Sequence, residues 1–91
     1  MTHPHFEYYA HRILTHFGWE HQKMKMVEEM AELATEFARS QDGRSTLDKQ
    51  REELADVIIL AEQMRFSLGP DEVDAKVEEK IGRTLSRYGI E

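Results

Sequence analysis

The sequence predicts an all-α domain of about four helices, built on an antiparallel helical hairpin and completed as a bundle by oligomerisation. Proline occurs only as Pro4 and Pro70, so nothing between them locks the backbone out of a helix. Apolar residues recur every three or four positions, and no run alternates apolar with polar as a half-buried strand would. Turn-forming residues interrupt the pattern only at Gly18, at residues 40–45 and at Gly69-Pro70.

The first helix opens near Pro4, whose fixed φ suits a first turn, and runs to Phe17 with Gly18 as its stop. The second spans Glu20 to Arg39, where Met26, Met30, Leu33 and Phe37, joined by Val27 and Ala34, form one broad apolar stripe. SQDGRS, residues 40–45, is a turn centred on Gly43. Ser45 followed by Asp48 resembles a capping box and opens the third helix. That helix carries Leu54, Val57, Ile58, Ala61, Met64 and Leu68 on one side. Leu68-Gly69-Pro70-Asp71 breaks it, and Asp71 is the expected cap of a fourth helix reaching Arg87. There Val73, Val77, Ile81 and Leu85 recur every four residues.

A chain of 91 residues, 1–91, is a single small domain with a limited core of its own, so a core shared with a second copy is expected. Lys and Arg number 12 against 18 Asp and Glu, and the net charge of −6 disfavours nonspecific nucleic-acid binding. It leaves a nucleotide ligand open, because a bound metal inverts the local charge balance. Cysteine is absent, which removes disulfides and thiolate sites and fits a cytoplasmic protein. MTHPHFEYYAHRIL lacks a basic region followed by an apolar run, so it does not read as a secretory signal. The longest apolar run, residues 57–61, is far too short for a membrane span.

The chemistry lies in a repeated acidic phrase, EEMAEL at 28–33 and EELADV at 52–57. Glu29 with Glu32, and Glu53 with Asp56, stand three apart, so at roughly 100° per residue each pair shares a helix face. Acid pairs of this kind most often form a solvated face. Here both pairs border an apolar stripe, and only Lys25 and Lys49 stand where they can reach Glu29 and Glu53. Glu32 and Asp56 keep few local partners. An antiparallel hairpin would gather all four acids into one patch, whose oxygens suit Mg²⁺ or Mn²⁺. Glu28 and Glu52 point away from the pairs, as solvent-facing residues or as carboxylates that orient a water. Glu36, one turn beyond Glu32, is a weaker addition.

With Glu-x-x-Glu on one helix, residues 33–52 between, and Glu-x-x-Asp on the next, the chain resembles the all-α nucleoside triphosphate pyrophosphohydrolases. FGWEHQKMKMVEEMAEL, residues 17–33, is similar to the compact MazG-like branch of bacterial or phage origin, and EELADVIILAEQM and EEKIGRTLSRYG continue the likeness. It covers residues 14–88. The resemblance implies an enzyme that cleaves a (d)NTP to a monophosphate and pyrophosphate, acting as a homodimer or homotetramer. It makes Glu29, Glu32, Glu53 and Asp56 the Mg²⁺ ligands, with Glu28, Glu52 or Glu53 serving catalysis. Lys80 matches the lysine of the family's last helix, and Arg83, Arg87 and Lys25 are further phosphate-binding candidates. Thr84 stands where many members have asparagine. Trp19, His21 and Gln22 are the candidates for base recognition, although the nearby aromatics equally suit core or subunit contacts. The histidines, including His3 with His5 and His11 with His16, lack zinc spacing. The competing readings are a phosphoribosyl-ATP pyrophosphohydrolase and a nonenzymatic acidic helical module.

Overall fold

The computed structural model describes residues 4–91, and His3 lies outside them. Four helices follow in order: α1 (Phe6–Phe17), α2 (Trp19–Ser40), α3 (Leu47–Leu68) and α4 (Pro70–Tyr88). No strand occurs among the described residues. None of their helices is long and apolar enough to cross a membrane.

The helix ends show which local signals prevailed. Pro4 lies in a turn before α1, and the cap position belongs to His5. Gly18, at φ 90°, serves two helices. Its N–H donates to the Leu14 carbonyl at 2.8 Å, and its own carbonyl accepts from the Gln22 N–H at 3.0 Å. The positive φ makes this corner a glycine position. Ser45 does not cap α3. Thr46 does, in extended backbone, its hydroxyl accepting the Lys49 N–H at 3.1 Å. Ser45 instead donates to Glu36 Oε1 at 2.9 Å, tying the turn to α2. Asp71 is likewise not a cap: Gly69 holds that position at φ 101°, and Pro70 is the first helical residue. Asp71 falls in the first turn, where its charge complements the helix dipole.

The frame is the α2–α3 hairpin. Gln22 Nε2 donates to Gln63 Oε1 at 2.9 Å near the open end, and Glu36 meets Ser45 near the closed end, so the two helices are antiparallel. The α1 helix packs against both, whereas α4 approaches only α3. A polar chain links three helices on one side. His11 Nε2 lies 2.6 Å from Glu62 Oε2, Arg65 donates to Glu62 at 3.0 Å, and Arg65 forms a two-pronged pair with Asp74 at 2.7 Å per contact. The His11 ring stacks on Phe66 with centroids 4.0 Å apart.

Burial within the single chain is slight. Among the described residues the buried apolar ones are Ala10, Leu14 and Leu60, and α4 buries none. The α2 stripe is only partly covered in the single chain: Met26 and Leu33 are half-buried, whereas Met30 is 45% exposed and Phe37 47%, as is Ile81 of α4 at 55%. Between α2 and α3 lie Gln22, Glu29, Glu36, Glu53 and Gln63 instead, all buried. Helical periodicity identifies a stripe but not what it meets, and here the polar border forms the hairpin seam.

Candidate metal centre and adjoining cavities

The hairpin register brings the two acidic phrases together. Glu29 projects from α2, Glu53 and Asp56 from α3, and one carboxylate oxygen of each lies within 4.8 Å of the others. Glu29 and Glu53 are each only 6% exposed. Glu29 Oε1 faces Lys25 Nζ at 3.2 Å, and Glu53 Oε1 faces Lys49 Nζ at 3.0 Å. The second oxygen of each, Oε2, is buried without a hydrogen-bond donor. A buried carboxylate oxygen without a donor is expensive, and a cation beyond the two lysines would relieve that cost.

Electrostatics agree with that geometry. Glu32 stands beside the trio, and contact with Glu29, then with Glu53, pushes its carboxyl above the usual glutamate range. Asp56 is pushed up by burial first, then by the charges of Glu29 and Glu53. Glu53 is held low, chiefly by the Lys49 ammonium. Lys25 and Lys49 are pushed up by Glu29 and Glu53 respectively, so both ammoniums are well held. Two lysines among four carboxylates leave the patch short of cation, and an oxygen-seeking divalent ion fits that deficit. Glu28 and Glu52 are exposed beside it, Glu28 lying 3.7 Å from Lys25 Nζ.

The carboxylates separate two cavities. One, of about 220 Å³, is lined by Glu29 and Asp56 on the acidic side and by Phe17, His21, Gln22 and Gln63 beyond them. Phe17 and His21 stack 14° from parallel at 4.9 Å. The other, of about 410 Å³, is lined by Glu32, Glu36, Glu53, Lys49 and Arg39. His21 and Gln22 thus border the same cavity as the acids. Trp19 does not line it; Lys23 Nζ lies 5.3 Å from the Trp19 ring centroid. Lys80, Arg83 and Arg87 gather with Thr84 around a third cavity of about 320 Å³ on α4, and none of them lines the first two. Of the phosphate-binding candidates, Lys25 alone lines the 220 Å³ cavity beside the acids.

Sequence reasoning did not single out Gln63, which is fully buried with its Nε2 unpartnered. A glutamine in EELADVIILAEQM reads as an ordinary helical residue until its partner across the hairpin is known. Glu62, Arg65 and Asp74 escaped for the same reason: with His11 they converge from three helices. Comparison with protein-family models, curated proteins and solved structures returned no match to this chain.

Proposed function

We propose that this chain is a divalent-metal-dependent nucleoside triphosphate pyrophosphohydrolase that converts a (d)NTP and water to a (d)NMP and pyrophosphate. The observation that carries the reading is the convergence of Glu29, Glu53 and Asp56 from two helices, with Glu29 Oε2 and Glu53 Oε2 buried and unpaired. Glu32 completes the ligand set from beside them. Held there, Mg²⁺, or Mn²⁺ in its place, would offset triphosphate charge and acidify a water.

The chain's own residues supply the rest. The nucleoside enters the cavity shared by Phe17, His21 and Gln22, and the phosphates cross the carboxylates toward Lys49 and Arg39. Lys25, held charged by Glu29, lies on the phosphate path. Water attacks the α-phosphorus, the bond to the β-phosphate oxygen breaks, and pyrophosphate leaves. Glu28 or Glu52, exposed at the edge of the patch, accepts the proton of that water. Most of the acceleration comes from positioning and electrostatic stabilisation. Lys80, Arg83 and Arg87 join the site from a second copy, in a homodimer or homotetramer that also covers the outward-facing apolar stripes. Its setting on this reading is the cytoplasm, where triphosphates and Mg²⁺ occur together.

Pyrophosphate release from a panel of NTPs and dNTPs with Mg²⁺ or Mn²⁺ tests the proposal. Metal-dependent turnover is expected, with Glu53→Gln lowering kcat at least about 100-fold. Absence of turnover on every NTP and dNTP, with metal still bound, would reject this reading in favour of the phosphoribosyl-ATP pyrophosphohydrolase or the nonenzymatic module.

A further inference from the structure

The cavity beside the carboxylates ends in a directional chain of side-chain amides. A carbonyl oxygen only accepts, so the 2.7 Å contact between His21 Nδ1 and Gln22 Oε1 requires a proton on Nδ1. That contact commits the other end of the Gln22 amide, Nε2, to donate, and it donates to Gln63 Oε1 at 2.9 Å. Gln63 Oε1 is thereby occupied. What remains is Gln63 Nε2, in a side chain with 0% exposure and without any partner. Neutral imidazole carries its proton on Nδ1 in one of its two tautomers, and the polarity of the chain goes with that tautomer.

Gln63 lines the same 220 Å³ cavity as Glu29 and Asp56. That volume falls below the roughly 300–1,000 Å³ typical of pockets enclosing whole drug-sized ligands, and suits one ring more than a complete nucleotide. The stacked Phe17 and His21 rings give it an aromatic side.

We infer that Gln63 determines base specificity, its Nε2–H donating to the carbonyl of a keto pyrimidine whose phosphates lie at the carboxylates. This inference rests on the proposed function and names its substrate class. Both pyrimidines share the 2-carbonyl and differ at position 4, the one Gln63 would face, where uracil-type bases carry a carbonyl and cytosine an amine. A fixed donor pairs with the first and confronts the second with another donor, leaving both buried N–H groups unpaired. Gln22 and His21 are positioning residues here, since they set which end of Gln63 is free.

The test compares kcat/KM for UTP against CTP, and dUTP against dCTP, in wild type, Gln63→Met and Gln63→Glu. Each ratio cancels any common effect of a variant on folding or metal binding. The wild type is expected to favour the keto substrate by at least about tenfold, the factor that one unpaired buried polar group typically imposes. Gln63→Met should bring the ratio near unity. Gln63→Glu, which keeps an acceptor for Gln22 but removes the donor, should bring it to unity or below. A wild-type ratio near unity, or a tenfold ratio that survives in either folded variant, would overturn the inference. Should neither variant fold, Gln63→Asn, whose shorter side chain withdraws the donor from the base, is read in their place with the same outcomes.

Calorimetric binding of UTP and CTP in Ca²⁺ separates this idea from the one beneath it. Turnover without base preference sinks the role of Gln63 and leaves the hydrolase standing. Keto-selective binding without turnover does the reverse. No binding of UTP or CTP removes the role of Gln63, and no turnover on any NTP or dNTP removes the hydrolase with it.

Discussion

Asp56 shows at the residue scale how an ion-binding position is built. Asp56 is exposed at the edge of the patch, yet partial desolvation and the charges of Glu29 and Glu53 push its carboxyl up, against the smaller opposing pull of Lys25 and Lys49. Asp56→Asn is therefore expected to raise the melting temperature of the metal-free protein. The same substitution should weaken the stabilisation that Mn²⁺ gives the wild type, which is about 2.7 kcal/mol at 100 times its Kd. Differential scanning calorimetry with and without the ion reads both effects. A destabilised metal-free variant would mean that Asp56 makes a structural contact instead. The acids themselves were legible in the sequence because three-residue spacing fixes a shared helix face. The unpaired oxygens were not, because their burial depends on the opposing helix.

Among the elements, α4 has the weakest hold, since it approaches only α3 and buries no residue. Its clearest polar tie is the two-pronged Arg65–Asp74 pair. The Arg65 guanidinium holds the Asp74 carboxyl below the usual aspartate range. A depressed folded pKa contributes stability that is complete above the ordinary aspartate value and is lost as pH falls through the lowered one. Amide hydrogen exchange in α4 should therefore rise relative to α2 as the pH drops below about 4. Arg65→Ala should produce the same loosening at neutral pH, and uniform exchange across both helices would refute the assignment. The position of α4 was legible from Gly69-Pro70, where helix interruption is a backbone property. Its cap was misassigned to Asp71, because Gly69, at φ 101°, takes that position with Pro70 first in the helix.

For the whole molecule, a buried apolar set of Ala10, Leu14 and Leu60 is small for a chain of 91 residues. Apolar burial contributes about 25 cal/mol per Å², and ordering the chain opposes it at every residue. Met30, Phe37 and Ile81 stand exposed on faces that a second copy would cover. Sedimentation equilibrium at micromolar concentration is expected to give a dimer or tetramer. Phe37→Arg should shift it toward monomer and lower the denaturant midpoint, whereas a well-folded wild-type monomer would refute the assembly.

Sequence alone determined the all-helical class, the main helix breaks and the shared face of each acid pair. These follow from backbone sterics and from a helical period that needs no tertiary partner. Lys25 with Glu29 and Lys49 with Glu53 were legible for the same reason, being four apart on one helix. Only the tertiary structure decided which face became interior, because a helix with two usable faces is settled by what packs against it. It placed Glu29 and Glu53 in the hairpin seam, joined Gln22 to Gln63, and left Met30, Phe37 and Ile81 facing outward. Contacts between residues distant in the chain depend on helix register and crossing, and no local pattern encodes either.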